Sequence, residues 1–164
     1  MSTESKYGIT RNIEASVKTW LEEELEDYGW KCRVELEFSE AYRTALPLPC
    51  IVINADDNPD KRIEIGSNQL SNYFNIEFRI FATGNGQRLD LRDWLRDKVM
   101  EGIPYYEFVI DNDNNTIQSN SPLAGRISII EIIQNRRELR NTDNTDQRDR
   151  SRHLLSFSTR IVLI

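Results

Sequence analysis

The chain has 164 residues, with 21 Lys+Arg against 27 Asp+Glu and a formal net charge of −6. A domain of roughly 150 residues buries about 70% of its unfolded-chain surface, so this length predicts one domain with a core of its own. A hydrophobic fraction of 38% and a mean hydropathy of −0.59 exclude a membrane-spanning or wholly disordered class, and no apolar run approaches the ~20 residues of a span. Cys32 and Cys50 are too few for a disulfide framework or a four-ligand zinc site. The start, Met1-Ser2-Thr3-Glu4-Ser5-Lys6, lacks the basic-then-apolar layout of a secretory signal. An acidic chain also grips a phosphate backbone poorly over a broad face.

The first periodic segment covers residues 10–28. Ile13, Val17, Trp20, Leu21, Leu25 and Tyr28 recur at spacings of three and four, with Glu14, Lys18, Glu22, Glu23 and Glu26 outside the stripe. This predicts an amphipathic helix with Thr10 as N-cap and Gly29 as the residue just past its end. Residues 1–8 are expected to be a short flexible tail. The period then becomes two: Cys32, Val34, Leu36 and Phe38 alternate with Arg33, Glu35 and Glu37, as in a half-buried strand. Cys50 to Ile53 reads as a short apolar strand, residues 54–60 as turn chemistry, and Ile63 and Ile65 as a second short strand.

Phe74, Ile76, Phe78 and Ile80 alternate with Asn75, Glu77 and Arg79 and give the clearest strand. It ends at Thr83-Gly84-Asn85-Gly86, and a helix follows over residues 87–101. Leu91, Trp94, Leu95 and Val99 form its inward stripe, Asp90, Asp93, Asp97, Arg88, Arg92 and Arg96 its wet side, and Gly102 and Pro104 its end. Tyr106, Phe108 and Ile110 read as one strand, and residues 111–121 as a polar loop. Residues 126–134 read as a strand whose parity changes between Ile127/Ile129 and Ile130/Ile132, which predicts a β-bulge near Ile129. Residues 140–152 carry no apolar side chain, and Leu155 to Leu163 alternate in a closing strand. The predicted fold is α+β: a single, mostly antiparallel sheet with both helices on its apolar face and long polar hairpin loops.

Few motifs carry chemistry. Gly84-Asn85-Gly86 stands between strand and helix as a phosphate loop would, but the third glycine of that fingerprint falls on Leu89. Asp111, Asp113 and Asn115 open like a calcium loop, yet Thr116 and Pro122 occupy its glycine and glutamate positions. Asp60 with Glu77 and Arg79 resembles the two-part acidic motif of metal-dependent nucleases, in which two carboxylates hold Mg²⁺ and a lysine orients water; Arg79 replaces that lysine. His153, the single histidine, has no nucleophile elbow near it and reads as a strand-start residue. Trp20, Trp30 and Trp94 read as core or interface aromatics. No catalytic residue, metal site or cofactor is expected.

The element order resembles the tail-terminator and neck (head–tail joining) proteins of tailed bacteriophages. It runs from an amphipathic N-terminal helix through a meander to Phe78-Arg79-Ile80-Phe81-Ala82-Thr83, a helix with Leu91-Arg92-Asp93-Trp94-Leu95, and long-hairpin strands. The resemblance implies a non-enzymatic virion subunit that forms a ring, commonly a hexamer, caps the tail tube and joins tail to head. Implied partners are copies of itself, the tail tube protein and a head-side connector or stopper, with genomic DNA passing through the lumen unbound. Its implied location is the virion tail or neck, and the host cytoplasm during assembly. On this reading Asp111, Asp113, Asp143, Asp146 and Asp149 are lumen or interface acids, and Arg148, Arg150 and Arg152 their salt-bridge partners across subunits. The other readings are a nuclease built on Asp60, Glu77 and Arg79, and a small oligomeric adaptor that uses a sheet edge.

Overall fold

A computed structural model of the chain describes residues 5–6, 8–36, 48–57, 73–111, 116–117, 122–137 and 153–163. The order is β1 (Ser5–Lys6), α1 (Ile9–Tyr28), β2 (Arg33–Leu36), β3 (Cys50–Asp57), β4 (Tyr73–Phe81), α2 (Asn85–Met100), β5 (Ile103–Tyr106), β6 (Val109–Asp111), β7 (Thr116–Ile117), β8 (Leu123–Arg137) and β9 (His153–Leu163). Six strands form the main sheet in the order β2-β3-β4-β9-β8-β5. Only β2–β3 is parallel; the other pairings are antiparallel. A small second sheet orders β1-β6-β7, so Ser5 and Lys6 pair with Ile110 and Val109.

Both helices share one core with one face of the main sheet. Ile13, Val17, Leu21 and Leu25 of α1 and Leu91, Leu95 and Val99 of α2 are buried with Ile51, Ile53, Ile76, Phe78 and Ile80. Period two explains the sheet side: alternate residues of β3 and β4 point toward the helices. The opposite face is not uniformly polar. Cys50, Val52 and Phe81 form a small buried cluster there, with Leu48 against it. The alternation also places Glu77 and Arg79 on that face, opposite Asn54 and Val52 of β3.

Several boundaries differ from expectation for physical reasons. Gly8, not Thr10, is the N-cap of α1: it holds extended backbone, and its carbonyl accepts the Asn12 N–H at 2.9 Å. Asn54 to Asp57, expected as turn, continue β3, because β4 supplies a full ladder from Asn54↔Glu77 to Asp57↔Phe74. The expected strand through Tyr106, Phe108 and Ile110 is two strands, β5 and β6, which belong to different sheets. Asp111 ends β6 opposite Thr116, so part of the expected polar loop is ladder. Arg88, expected on the wet side of α2, is buried, with its guanidinium on Asn85 Oδ1 at 2.6 Å. Trp94 is half-buried.

The parity change in β8 is a bulge at the expected place. Ile129 faces Thr159 and Glu131 faces Ser158, leaving Ile130 without an opposite residue; Ile133 is skipped in the same way between Ile132 and Gln134. Ile63, Ile65 and residues 140–152 lie outside the described residues. Among the described residues no helix is long and apolar enough to cross a membrane.

Candidate functional site

The eight expected interface residues are not gathered by the described structure. Asp111 sits in β6; Asp113, Asp143, Asp146, Arg148, Asp149, Arg150 and Arg152 lie outside the described residues. Topology does fix where residues 138–152 attach: Arg137 and His153 face each other at the end of the β8–β9 ladder. His153 begins β9 opposite Ile80, the strand-start position expected for it.

Of the nuclease residues, Asp60 is outside the described residues. Glu77 Oε2 and Arg79 Nη2 lie 3.5 Å apart, each side chain about a quarter exposed. Among the described residues no group of three His, Cys, Asp or Glu side chains could hold a metal. At the glycine turn, Gly84 is the N-cap of α2 and Gly86 is inside its first turn. A Cβ on either would meet nothing within 4 Å, so neither glycine is demanded by a close approach. Gln87 Oε1 accepts from the Thr83 backbone N–H at 3.0 Å and from Thr83 Oγ1 at 2.8 Å, which ties the residue before the N-cap to the first turn of α2.

The cavity with the most distinctive lining among the described residues is elsewhere. It is an open groove of about 390 Å³ lined by Tyr28, Trp30, Asp90, Asp93, Trp94 and Asp97. Its aromatic wall comes from how α1 ends. Gly29 adopts φ +82°, its N–H bonds Glu26 O at 3.0 Å, and the Trp30 N–H bonds Leu25 O at 2.9 Å. These are the two bonds of a Schellman motif, which needs a residue at positive φ and turns the chain back on the helix. The reversal sets Trp30 beside Tyr28, with ring centroids 6.1 Å apart and planes 15° from parallel.

The second wall is α2. Asp90, Trp94 and Asp97 are spaced four and three apart and share one helical stripe. Trp94 meets Tyr28 at 5.7 Å with planes tilted by 45°. The helices are joined beside this contact by Lys98 Nζ, 3.1 Å from Glu24 and 3.4 Å from Glu101. The Lys98 ammonium is held above its ordinary pKa, first by its hydrogen bond to Glu24. Tyr28 is 63% exposed, large for an aromatic packed on two others. The indole Nε1 atoms of Trp30 and Trp94 are buried with no hydrogen-bond partner among the described residues.

Three of the six residues lining the groove are aspartates. Asp90 and Asp97 carry no ion pair among the described residues, and Asp93 is engaged by Arg92 at 2.6 Å. The end of α1 adds Glu23, Glu26 and Asp27, while Glu22 pairs with Lys18 at 3.3 Å and Glu24 with Lys98; no basic residue of α1 lies in its last turn. A helix C-terminus already carries about −0.5 of a charge, so the three acids reinforce the macrodipole.

A polar clamp that the sequence reading passed over holds α1 to the β5–β6 segment. Buried Ser16 accepts the Tyr106 N–H at 2.9 Å, and buried Asn12 accepts the Phe108 N–H through Oδ1 at 3.1 Å. Burial raises the Tyr105 phenol above its ordinary pKa, against a hydrogen bond to Asn12 that lowers it. The available signal was the pair Asn12 and Ser16, four apart on the apolar stripe.

Compared with known proteins, the chain matches no family model, no curated protein and no solved structure.

Proposed function

We propose that the chain is a non-enzymatic structural subunit that assembles with copies of itself, and that it serves as a tail-terminator or neck ring of a tailed bacteriophage. The observation that carries the assembly reading is the outer edge of β8. β5 covers β8 only from Leu123 to Ile127, and residues 128–137 have no strand on that side among the described residues. Along this length Ile129 and Ile132 pack against the core, whereas Ile130 is 51% exposed. An unpaired edge with an exposed isoleucine is a template for another strand.

A ring is compatible with the two open flanks of the sheet. The other flank of the sheet is β2, whose outer side likewise has no strand among the described residues. Joining β2 of one copy to β8 of the next is a head-to-tail contact, and head-to-tail contacts close into rings when the rotation permits. The α+β architecture with both helices on one face is compatible with the terminator resemblance, as is the net charge of −6, which would let DNA pass a lumen without adhering.

Light scattering on the purified chain, alone and with tail tube protein, tests this reading. The expected result is one closed oligomer, visible as rings by negative stain, that Ile130→Lys converts to smaller species without changing the far-UV circular dichroism. A strictly monomeric chain at about 100 μM in both conditions refutes it, since a specific contact of useful strength would populate by then.

A further inference from the structure

We infer that the groove between the end of α1 and the middle of α2 is a binding site for an arginine side chain presented by a partner protein. Three independent features converge on a flat cation. The first is the aromatic wall: the Tyr28 ring lies 6.1 Å from Trp30 and 5.7 Å from Trp94 between centroids, and Tyr28 remains largely exposed. Ring faces carry the negative part of the aromatic quadrupole and attract a cation placed over them.

The second is the carboxylate stripe. Asp90, Asp93 and Asp97 line the same groove; Arg92 engages Asp93, and Asp90 and Asp97 carry no ion pair among the described residues. Two uncompensated carboxylates beside aromatic rings favour a positive ligand over empty solvent. The third is the α1 terminus, where Glu23, Glu26 and Asp27 carry no ion pair among the described residues and add to the dipole, while Lys18 holds Glu22 and Lys98 holds Glu24. A cation in this groove meets favourable potential from both helices.

Arginine fits better than lysine or a quaternary ammonium. Its guanidinium is planar and stacks on an indole face while its fork still donates to carboxylates. A groove with Tyr28 and Trp30 on one side and Trp94 between Asp90 and Asp97 on the other offers both kinds of contact at once. An ammonium would use the carboxylates without the stacking, and tetramethylammonium would use the rings without donating. The inference does not depend on self-assembly, because both walls come from one copy.

The test follows the three indole N–H resonances of the full chain during titration with an amidated peptide carrying two arginines. Trp30 and Trp94 are expected to shift saturably, whereas Trp20, 6% exposed in the core, stays fixed as an internal control. A citrulline peptide of the same length is expected to bind at least about tenfold more weakly, having lost the charge. The lysine peptide and tetramethylammonium chloride are each expected to bind about threefold to fivefold more weakly, having lost stacking or donation. Trp94→Leu is expected to weaken arginine-peptide binding about fivefold, and Asp90→Asn with Asp97→Asn about tenfold together. Circular dichroism confirms that each variant is folded, and Asp90→Asn alone serves if Trp94→Leu is not. The inference is overturned if neither indole moves by about 10 mM peptide, if citrulline binds as well as arginine, if tetramethylammonium or lysine binds equally, or if the folded variants bind unchanged.

Discussion

Replacing Gly102 by alanine is a perturbation whose sign is decided by the backbone. Gly102 follows the last turn of α2 with φ +91° and sends the chain into β5, where Ile103 is fully buried. A glycine-to-alanine change at an ordinary φ stabilises by about 0.4–1 kcal/mol, because the unfolded chain loses freedom. At positive φ an L side chain costs roughly 1–2 kcal/mol. A second cost is local: a Cβ at this position would overlap Arg126 Nε and lie 3.1 Å from its Cζ. Arg126 must then move, and its guanidinium leaves the Glu101 carbonyl to which it donates. Arg126 is an exposed residue, so that bond is discounted for solvent to about 0.5 kcal/mol. The balance is a loss of about 1 kcal/mol or slightly more, a fall in Tm of about 2–4 °C for a chain of this size. Urea unfolding of Gly102→Ala, Arg126→Ala and the double variant measures both parts. The double variant should recover about 0.5 kcal/mol of coupling. If Gly102→Ala is as stable as the parent or more so, the left-handed turn and the close approach of Arg126 are both wrong.

Three further outcomes are expected. Ser16→Ala leaves the Tyr106 N–H without its acceptor and costs about 1–3 kcal/mol in urea unfolding, with faster hydrogen exchange at Tyr106; an unchanged exchange rate would remove the clamp from the account. Gly29→Ala forces a side chain onto φ +82° and costs about 1 kcal/mol, and near-UV circular dichroism should change because Trp30 shifts against Tyr28. Burial, with a smaller contribution from Cys50, pushes the Cys32 thiol from 9.0 up to about 12. At pH 8 only about one molecule in 10⁴ is then the thiolate, so alkylation in the native chain is slow and denaturant releases it. The folded value lies above the unfolded one, so the associated stability is complete below pH 9 and declines as pH rises from 9 toward 12. Iodoacetamide labelling against pH, read by intact mass, checks both statements.

The parts of the fold set by local periodicity were legible in the sequence. The α1 stripe, the Gly29 terminus, the alternation of β4 and the bulge after Ile129 each follow from spacing within a short window. Asn54 to Asp57 were misread because Asn and Asp favour turns in isolation, whereas the β4 ladder offers each backbone group a partner. Arg88 was misread because charge predicts exposure, and Asn85 one turn earlier supplies the oxygen that lets it be buried. The groove was hidden for a different reason. Its walls come from residues 28–30 and 90–97, and nothing in either segment announces the other. The local trace of it was a tryptophan flanked by aspartates on one helical stripe.

The two long sides of the sheet are treated differently, and that difference bears on assembly. Beyond Leu36 the outer side of β3 has lost β2 among the described residues, yet the Ala55 N–H there is occupied at 3.1 Å by Glu14 Oε1 from α1. A charged side chain on an edge donor both satisfies it and repels an incoming strand, so this stretch is protected from pairing. The outer side of β8 is guarded differently: Glu131 is exposed along it, and two bulges leave Ile130 and Ile133 outside the β9 register. Bulges bend a strand and increase its twist, which narrows the set of strands that can add there. A bulged edge that bears both an exposed isoleucine and an exposed glutamate accepts few partner geometries. Selective pairing of that kind is what a closed ring requires, whereas a flat unguarded edge would lead to indefinite aggregation.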